Sequence, residues 1–294
     1  MSKIVRIGAR ESRLAVIQAE LVADAIRKHR PNIEVRLVTM KTTGDKILHK
    51  TLDQIGGKGL FVKELDDALL RGEVDICVHS YKDMPAEDRP DMPVVAVSPR
   101  EDPRDVLILP QGCQTVDPAK PIGCSSLRRQ VQLGALYPGQ WTAPIRGNVI
   151  TRLEKLDNGE FSALVLAAAG IVRLGLWVRA NRVFEPHELL PAGCQGVMAV
   201  QGRRGEDHSY LQAYHDRAAW DTSLAERAFV RRLGCGCGAL VGVFGEITGN
   251  VLRLRGMIAG VQKSIRYDEV TGDRSDAEEL GIRLANNMMA GGAV

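Results

Sequence analysis

The sequence predicts an α/β protein in which mostly parallel sheets carry helices on both faces, followed by a smaller unit of different pattern. Two observations carry this. Strand-length apolar runs alternate with helical stripes through the first part of the chain, the β-α-β order that needs crossover helices. After about residue 220 a helix leads instead into consecutive strands and a closing helix. A length of 294 residues fits about two domains as a soft prior.

Ile4 to Gly8 reads as a strand. Leu14, Ile17, Leu21, Val22 and Ala25 form a helical stripe that Ser12 can cap. Ile33 to Val38 is the next strand. Thr42 to Lys58 is polar, ends in Gly56-Gly57-Lys58-Gly59, and predicts a long loop of the kind that serves as a lid. Leu60 to Leu70 predicts a helix and Val74 to Val78 a buried strand. Charged, Pro-punctuated segments break the pattern at Ser98 to Arg104 and at Glu185 to Gly193. Between them a second β-α-β set is expected. Ser125 or Ser126 caps a helix through Leu133, and Asn148 caps one through Leu156 that Asn158-Gly159 ends. Ala163 to Ala167 follows as a strand, then a short helix to Leu174. The last unit reads as a helix from Ser223 to Leu233, a Gly-Cys loop, strands at Leu240–Ile247 and Val251–Ile258, and a helix from Asp276 to Met289.

Composition excludes several function classes. Hydrophobic residues are 45% and charged residues 26%, ordinary for a globular protein. Aromatics are only 4%, too few for the stacking platforms of single-strand binders. A net charge of +3 is too balanced for a generic DNA binder. The chain starts into a strand pattern without a signal-like apolar core, and its longest apolar run, Ala163 to Val172, is too short to span a bilayer. A cytoplasmic location with reduced thiols is therefore expected for the six cysteines. The histidines show no metal spacing, and no metal is expected.

The chemistry is carried by cationic segments with one carboxylate among them. Ser125-Ser126-Leu127-Arg128-Arg129, Arg146-Gly147-Asn148 and Arg152 lie at two strand-to-helix junctions, ready sites for anions. Lys82-Asp83 closes a buried strand, where an α/β fold places ligands. Four arginines together favour a polyanionic ligand over four unrelated surface ion pairs. Asp83 suits proton transfer or stabilisation of a cation, against the plainer reading of a local Lys–Asp pair. Gly234-Cys235-Gly236-Cys237-Gly238-Ala239 fits an exposed nucleophilic thiol or a pair of inert ones. It also matches a dinucleotide fingerprint formally, but follows a helix and precedes a strand, the wrong order. A disulfide between Cys235 and Cys237, as a redox function would need, is strained in so tight a loop.

Taken in order, these segments closely resemble the porphobilinogen deaminase (hydroxymethylbilane synthase) family. The resemblance runs through Ile7-Gly8-Ala9-Arg10-Glu11-Ser12-Arg13-Leu14-Ala15 with Gln18, Gly56 to Leu65, and Val78-His79-Ser80-Tyr81-Lys82-Asp83-Met84-Pro85. It continues through Arg100 to Asp105, Ser125 to Arg129, Arg146-Gly147-Asn148 and Asp157-Asn158-Gly159. It implies two type II periplasmic-binding-protein-like α/β domains with the active site in the cleft between them, plus a small C-terminal α/β domain. The implied division is 1–98 with 196–218, then 104–190, then 220–294.

The implied activity is a transferase reaction that joins four porphobilinogen molecules, with loss of ammonia, onto a covalent dipyrromethane cofactor. Hydrolysis then releases linear hydroxymethylbilane for tetrapyrrole biosynthesis. Aligned with the family's helix, Cys237 rather than Cys235 takes the thioether to the cofactor. The resemblance makes Asp83 catalytic and assigns carboxylate binding to Arg10, Lys82, Arg128, Arg129, Arg146, Arg152 and Arg173. Ser12, Gln18, Ser80, Ser126 and Gln195 add polar contacts, and Lys58 and Phe61 belong to the active-site loop. A monomer is implied, binding porphobilinogen but no nucleic acid or membrane, and passing product to a downstream tetrapyrrole enzyme. The chain departs from the family pattern at Cys124, Cys194, Gln201, Gly234, Cys235 and Leu240. A non-catalytic anion-binding protein on the same two-lobed scaffold is the other reading.

Overall fold

The computed structural model describes residues 3–46, 62–87, 89–234, 240–260 and 264–290. The first part of the chain gives β1 (Lys3–Arg10), α1 (Arg13–His29), β2 (Ile33–Met40), a short α2 (Thr43–Lys46), α3 (Lys63–Leu70), β3 (Ile76–Ser80) and β4 (Val94–Val97). The middle part gives β5 (Asp105–Ile108), β6 (Ile122–Gly123), α4 (Leu127–Leu136), β7 (Thr142–Ala143), α5 (Val149–Asp157), β8 (Ala163–Ala167), α6 (Ala168–Arg173) and β9 (Arg182–Phe184). Then come β10 (Met198–Gly202), α7 (Arg217–Arg232), β11 (Val241–Thr248), β12 (Val251–Ala259), β13 (Ile265–Asp273) and α8 (Ala277–Ala290).

Two five-stranded sheets have one layout. Their orders are β2-β1-β3-β10-β4 and β7-β6-β8-β5-β9. In each, the second strand in the order (β1 or β6) pairs in parallel with both neighbours, and an antiparallel strand (β10 or β5) is inserted before the last position. The first sheet takes its antiparallel strand from beyond the second, so the chain crosses between the lobes twice. The crossings run side by side, with Glu101 N donating to Gly196 O (3.2 Å) and Ser98 N to Met198 O (3.0 Å). Gly196 has φ +90°, and a Cβ there would stand 2.2 Å from the Glu101 carbonyl oxygen. Only glycine lets the crossings touch at this point. Two α/β lobes with a cleft between them and a small third unit are the expected fold class.

Sequence dictates most of the local structure. Ser12 Oγ accepts from Ala15 N to start α1, which buries Ala15, Ala19, Val22, Ala23 and Ile26 and ends in Arg27, Lys28 and His29. Asn148 caps α5 by accepting from Thr151 N. Of the two serines offered as caps for α4, Ser126 takes the position but makes no side-chain capping bond. Ser125 instead exchanges hydrogen bonds with the backbone of Ile145.

Several expectations shift. β3 runs on to Ser80, two residues past the predicted end. α7 begins at Arg217, because Asp216 caps it by accepting from Ala219 N (2.7 Å). Thr43–Lys46 forms a helical turn where only loop was predicted, tied down by Glu64 Oε1, which accepts from Thr43 N (2.8 Å). β4, β5, β6, β7, β9 and β10 were not individually predicted, and neither was β13. The last is an edge strand whose only buried residue is Val270, so its apolar signal is weak. The Lys58 and Phe61 positions lie outside the described residues. Among the described residues no helix is long and apolar enough to cross a membrane.

The third unit packs α7 and α8 on one face of the antiparallel β11-β12-β13 sheet around Phe229, Leu252, Leu254, Leu280 and Leu284. The other face, through Phe244 and Met257, meets Val131 of α4 and Leu190 of the second crossing. Glu226, fully buried in α7, binds the unit to both crossings. It accepts from Arg100 Nη2 (2.9 Å), Cys194 N (2.5 Å) and Gly245 N (2.8 Å).

Gly281 sets how closely α7 and α8 approach. A Cβ at this position would lie 2.1 Å from the Ala225 carbonyl oxygen and 2.9 Å from the Ala228 Cβ, so the helices must part. Gly281→Ala is expected to destabilise the protein by about 1–3 kcal/mol despite alanine's better helix propensity. Urea unfolding checks this, and an unchanged midpoint would contradict it.

Candidate active site

Strand ends from the first lobe and helix starts from the second meet in one cavity of ≈540 Å³. That volume suits a small-molecule ligand. β1 delivers Arg10, and the turn into α1 delivers Ser12, with Gln18 one turn further. Gln18 Nε2 donates to Ser80 Oγ (3.0 Å), which fixes the end of β3. There the chain makes a single 3-10 turn, Tyr81–Asp83, and Tyr81 N donates to Val197 O (3.0 Å) of the second crossing. The turn buries Tyr81, leaves Lys82 half-buried and exposes Asp83 to the cavity. Arg227 of α7 stacks over the Tyr81 ring at 4.6 Å and donates to Pro85 O (2.9 Å), so the third unit braces the same turn.

The second lobe supplies the opposite wall. Arg129 comes from the first turn of α4, Arg146 and Asn148 from the approach to α5, Arg152 from α5 itself and Arg173 from the end of α6. Arg152 Nε donates to Gly147 O (2.8 Å) and Arg173 Nη2 to Gly196 O (2.6 Å), so both are oriented by backbone carbonyls. Arg129 donates to Val165 O (3.0 Å) and Asp105 Oδ1 (2.7 Å), while its buried Nε has no hydrogen-bond partner. Lys41 and Glu11, paired at 3.7 Å, complete the rim.

Crowding of cations shows in their protonation. Burial brings Lys82 down to about 8, Asp83 and Asp105 opposing and Arg129 and Arg128 reinforcing the shift. Arg152 is brought down to about 10, first by burial and then by Arg129 and Arg146. Arg173 is lowered by burial. Asp105 goes the other way: burial resists its ionisation, but Arg128 and Arg129 hold it well below the usual carboxylate range. Asp83's charge acts on Lys82, Arg129 and Arg152, which places that carboxylate within the field of all three. A ligand with several carboxylates neutralises such a site. The converging guanidiniums fit one.

Of the residues predicted for the site, the structure brings together Asp83, Arg10, Lys82, Arg129, Arg146, Arg152, Arg173, Ser12, Gln18 and Ser80. Three others do not line the cavity, and two of them, Arg128 and Gln195, are buried. Arg128, expected to bind carboxylate, is buried and points its guanidinium at Asp105 Oδ2 (2.7 Å) and the Leu190 carbonyl. Gln195 is fully buried, accepting from Lys82 Nζ (3.1 Å) and donating to Pro103 O (2.7 Å) and Asp105 Oδ1 (2.8 Å). Ser126 is not among the lining residues, and its carbonyl accepts from Gln130 N. Cys235, Cys237, Lys58 and Phe61 lie outside the described residues. Asp105 was missed, although a carboxylate opening the apolar run Val106–Leu109 is itself a sign of a buried, paired charge.

Residues 5–211 match the sequence family described as "Porphobilinogen deaminase, dipyromethane cofactor binding domain", and residues 220–290 match "Porphobilinogen deaminase, C-terminal domain". The chain is 57% identical to a porphobilinogen deaminase of Alkaliphilus oremlandii over 97% of this chain and 96% of that one. It is 55% identical to a porphobilinogen deaminase of Acetivibrio thermocellus over 98% of each. Among solved structures, the methionine binding protein MetQ is similar with a TM-score of 0.46 at 13% identity, covering 75% of this chain and 93% of that chain.

Since Lys82 loses its charge near pH 8, affinity for a polycarboxylate is expected to fall as pH rises from 7 to 9. The sign follows because the neutral amine no longer attracts the anion. Calorimetric titration with citrate at constant ionic strength checks this, and Lys82→Met should remove the inflection.

Proposed function

Because the chain belongs to the porphobilinogen deaminase family, we propose that Asp83 is its acid–base group and that Cys237 carries its cofactor. The enzyme is a transferase that acts on porphobilinogen, and residues 5–211 form a dipyrromethane cofactor binding domain. The observation that carries the residue assignment is the position of Asp83, a carboxylate among cations from both lobes. A non-catalytic anion binder is not favoured, since a pure binder has no use for that carboxylate.

Porphobilinogen bears an acetate and a propionate, so each ring brings two carboxylates into the cleft. Arg10, Lys82, Arg129, Arg146, Arg152 and Arg173 would hold these groups, with bidentate geometry available at the arginines. Arg128 would act from behind by steadying Arg129. Ser12, Gln18 and Ser80 would orient the ring through hydrogen bonds. When bound, the dipyrromethane supplies the pyrrole carbon to which the substrate is joined. Asp83 would donate a proton as the amine leaves and balance the positive charge remaining on the substrate. The same carboxylate would then take up the proton released at the new carbon–carbon bond. Crowded cations on the walls bind the carboxylates, while Asp83 supplies the opposite charge where a cation develops.

The proposed domains are 1–98 with 196–218, then 104–190, then 220–294, a division supported by the two family matches and the three sheets. The double crossing is the natural hinge, and movement about it would give the cleft room for a lengthening product. We further propose a cytoplasmic monomer without nucleic-acid or membrane partners, passing its product to a downstream tetrapyrrole enzyme.

Two measurements test the assignment. Asp83→Asn is expected to lower kcat by roughly a hundredfold or more with the melting temperature unchanged, and unchanged turnover would remove Asp83 from the acid–base role. Intact mass under denaturing conditions, with peptide mapping, should show an excess of two porphobilinogen units less their ammonia on Cys237. The same adduct on Cys235 would move the attachment point, and no adduct after incubation with porphobilinogen would favour the binding-protein reading.

A further inference from the structure

We propose that Asp105 is a positioning residue for this reaction, setting Arg129 on one wall of the cleft and, through Gln195, Lys82 on the other. The proposal rests on the transferase reading only for the identity of the ligand those cations serve. Asp105 opens β5 directly after the first crossing and is fully buried. It does not line the cavity, so any effect on the reaction passes through its partners.

Those partners span the hinge. Oδ1 accepts from Arg129 Nη2 (2.7 Å) and Gln195 Nε2 (2.8 Å), and Oδ2 accepts from Arg128 Nη2 (2.7 Å). Gln195 lies on the second crossing. Its amide has one donor end and one acceptor end, and the donor end is claimed by Asp105 and the Pro103 carbonyl. Its oxygen must then face the other way, where it accepts from Lys82 Nζ (3.1 Å). The Asp105 carboxylate and the Pro103 carbonyl together fix the amide's orientation, and the amide oxygen gives the Lys82 ammonium one of its contacts. Arg129 is equally constrained, by Asp105 on one nitrogen and Val165 O on the other. Arg128 completes the arrangement, since a second guanidinium keeps the buried carboxylate ionised. The charged groups acting on Lys82 are Asp83 from its own turn, Asp105 from β5, and Arg128 and Arg129 from α4.

The test uses the cofactor-loaded enzyme and three variants, Asp105→Asn, Asp105→Glu and Gln195→Met. Acetylation of Lys82 by acetic anhydride, followed by peptide mass spectrometry across pH, reads the lysine directly. Steady-state kinetics with porphobilinogen and thermal melting accompany it. The Lys82 inflection of the cofactor-loaded wild type is the reference for the variants. Asp105→Asn removes a charge that favours the ammonium, so its inflection should move lower, and kcat/KM should fall roughly tenfold to a hundredfold, mainly through KM. Asp105→Glu should keep the inflection and recover part of the lost kcat/KM. Gln195→Met should move the Lys82 inflection while leaving the Asp105–Arg129 pair. A folded Asp105→Asn with the wild-type inflection and KM would overturn the proposal. So would a lower melting temperature in both Asp105 variants without any change at Lys82. Should Asp105→Asn not fold, an unmoved inflection in Gln195→Met would overturn it. Absence of porphobilinogen turnover by the wild type would instead overturn the transferase reading, which the acetylation measurement does not depend on.

Discussion

Two guanidiniums and a carboxamide converge on the fully buried carboxylate of Asp105. A carboxylate removed from water is unstable unless its charge and lone pairs are answered, and here three donors answer them. Breaking such a buried pair leaves an uncompensated charge and costs about 3–5 kcal/mol. The first turn of α4, the start of β5 and the second crossing are therefore held together by one side chain. The cleft is built outward from that point. Arg129 reaches the cavity because Asp105 and Val165 O hold it there, and Lys82 meets Gln195 because Asp105 orients the amide.

The cleft stores unfavourable electrostatics that a polyanion relieves. Lys82 and Arg152 are both depressed, chiefly by burial and then by each other's neighbours. In the free protein these cations repel one another at low local dielectric. A substrate with two carboxylates per ring offers the missing charge. Asp83 is opposite in sign to the arginines and lysine that surround it and is exposed to the cavity, whereas Glu11, the other lining carboxylate, is paired with Lys41 at the rim. That contrast separates the group suited to proton transfer from those suited to holding the ligand.

The third unit takes part in the same geometry. Glu226 gathers Arg100 from the first crossing, the Cys194 amide from the second and Gly245 from β11. Arg227, next in sequence, braces the Tyr81–Asp83 turn. Cys194 adopts φ +61°, the left-handed region, alone among the described residues other than glycine. An L residue there costs about 1–2 kcal/mol, and the Glu226 contact helps hold the backbone in that conformation. The departure from the family pattern at Cys194 thus falls on a backbone position that favours glycine. Burial pushes the Cys194 thiol up to about 12, which makes it an inert core residue rather than a redox group.

Local signals made the α/β alternation, the two crossings and most of the site legible in the sequence. Strand ends and capped helix starts announce where ligands go, and Lys82-Asp83, Arg146-Gly147-Asn148 and Arg152 all stand at such places. The family resemblance supplied the reaction and the cofactor, which composition and spacing alone did not. Adjacency in sequence could not separate Arg128 from Arg129. On a helix, neighbouring residues point about 100° apart, so one faces the cavity and the other the core, and only packing decides which. Nor could it reveal that Gln195 lies behind Lys82, or that Asp105 anchors both walls, because these contacts join residues 24, 90 and 113 positions apart. The sequence by itself determined which chemical groups the cleft would contain. The tertiary structure decided which of them meet the ligand and which hold the others still, because that depends on burial and on the crossing of chain segments that carry no mark of each other.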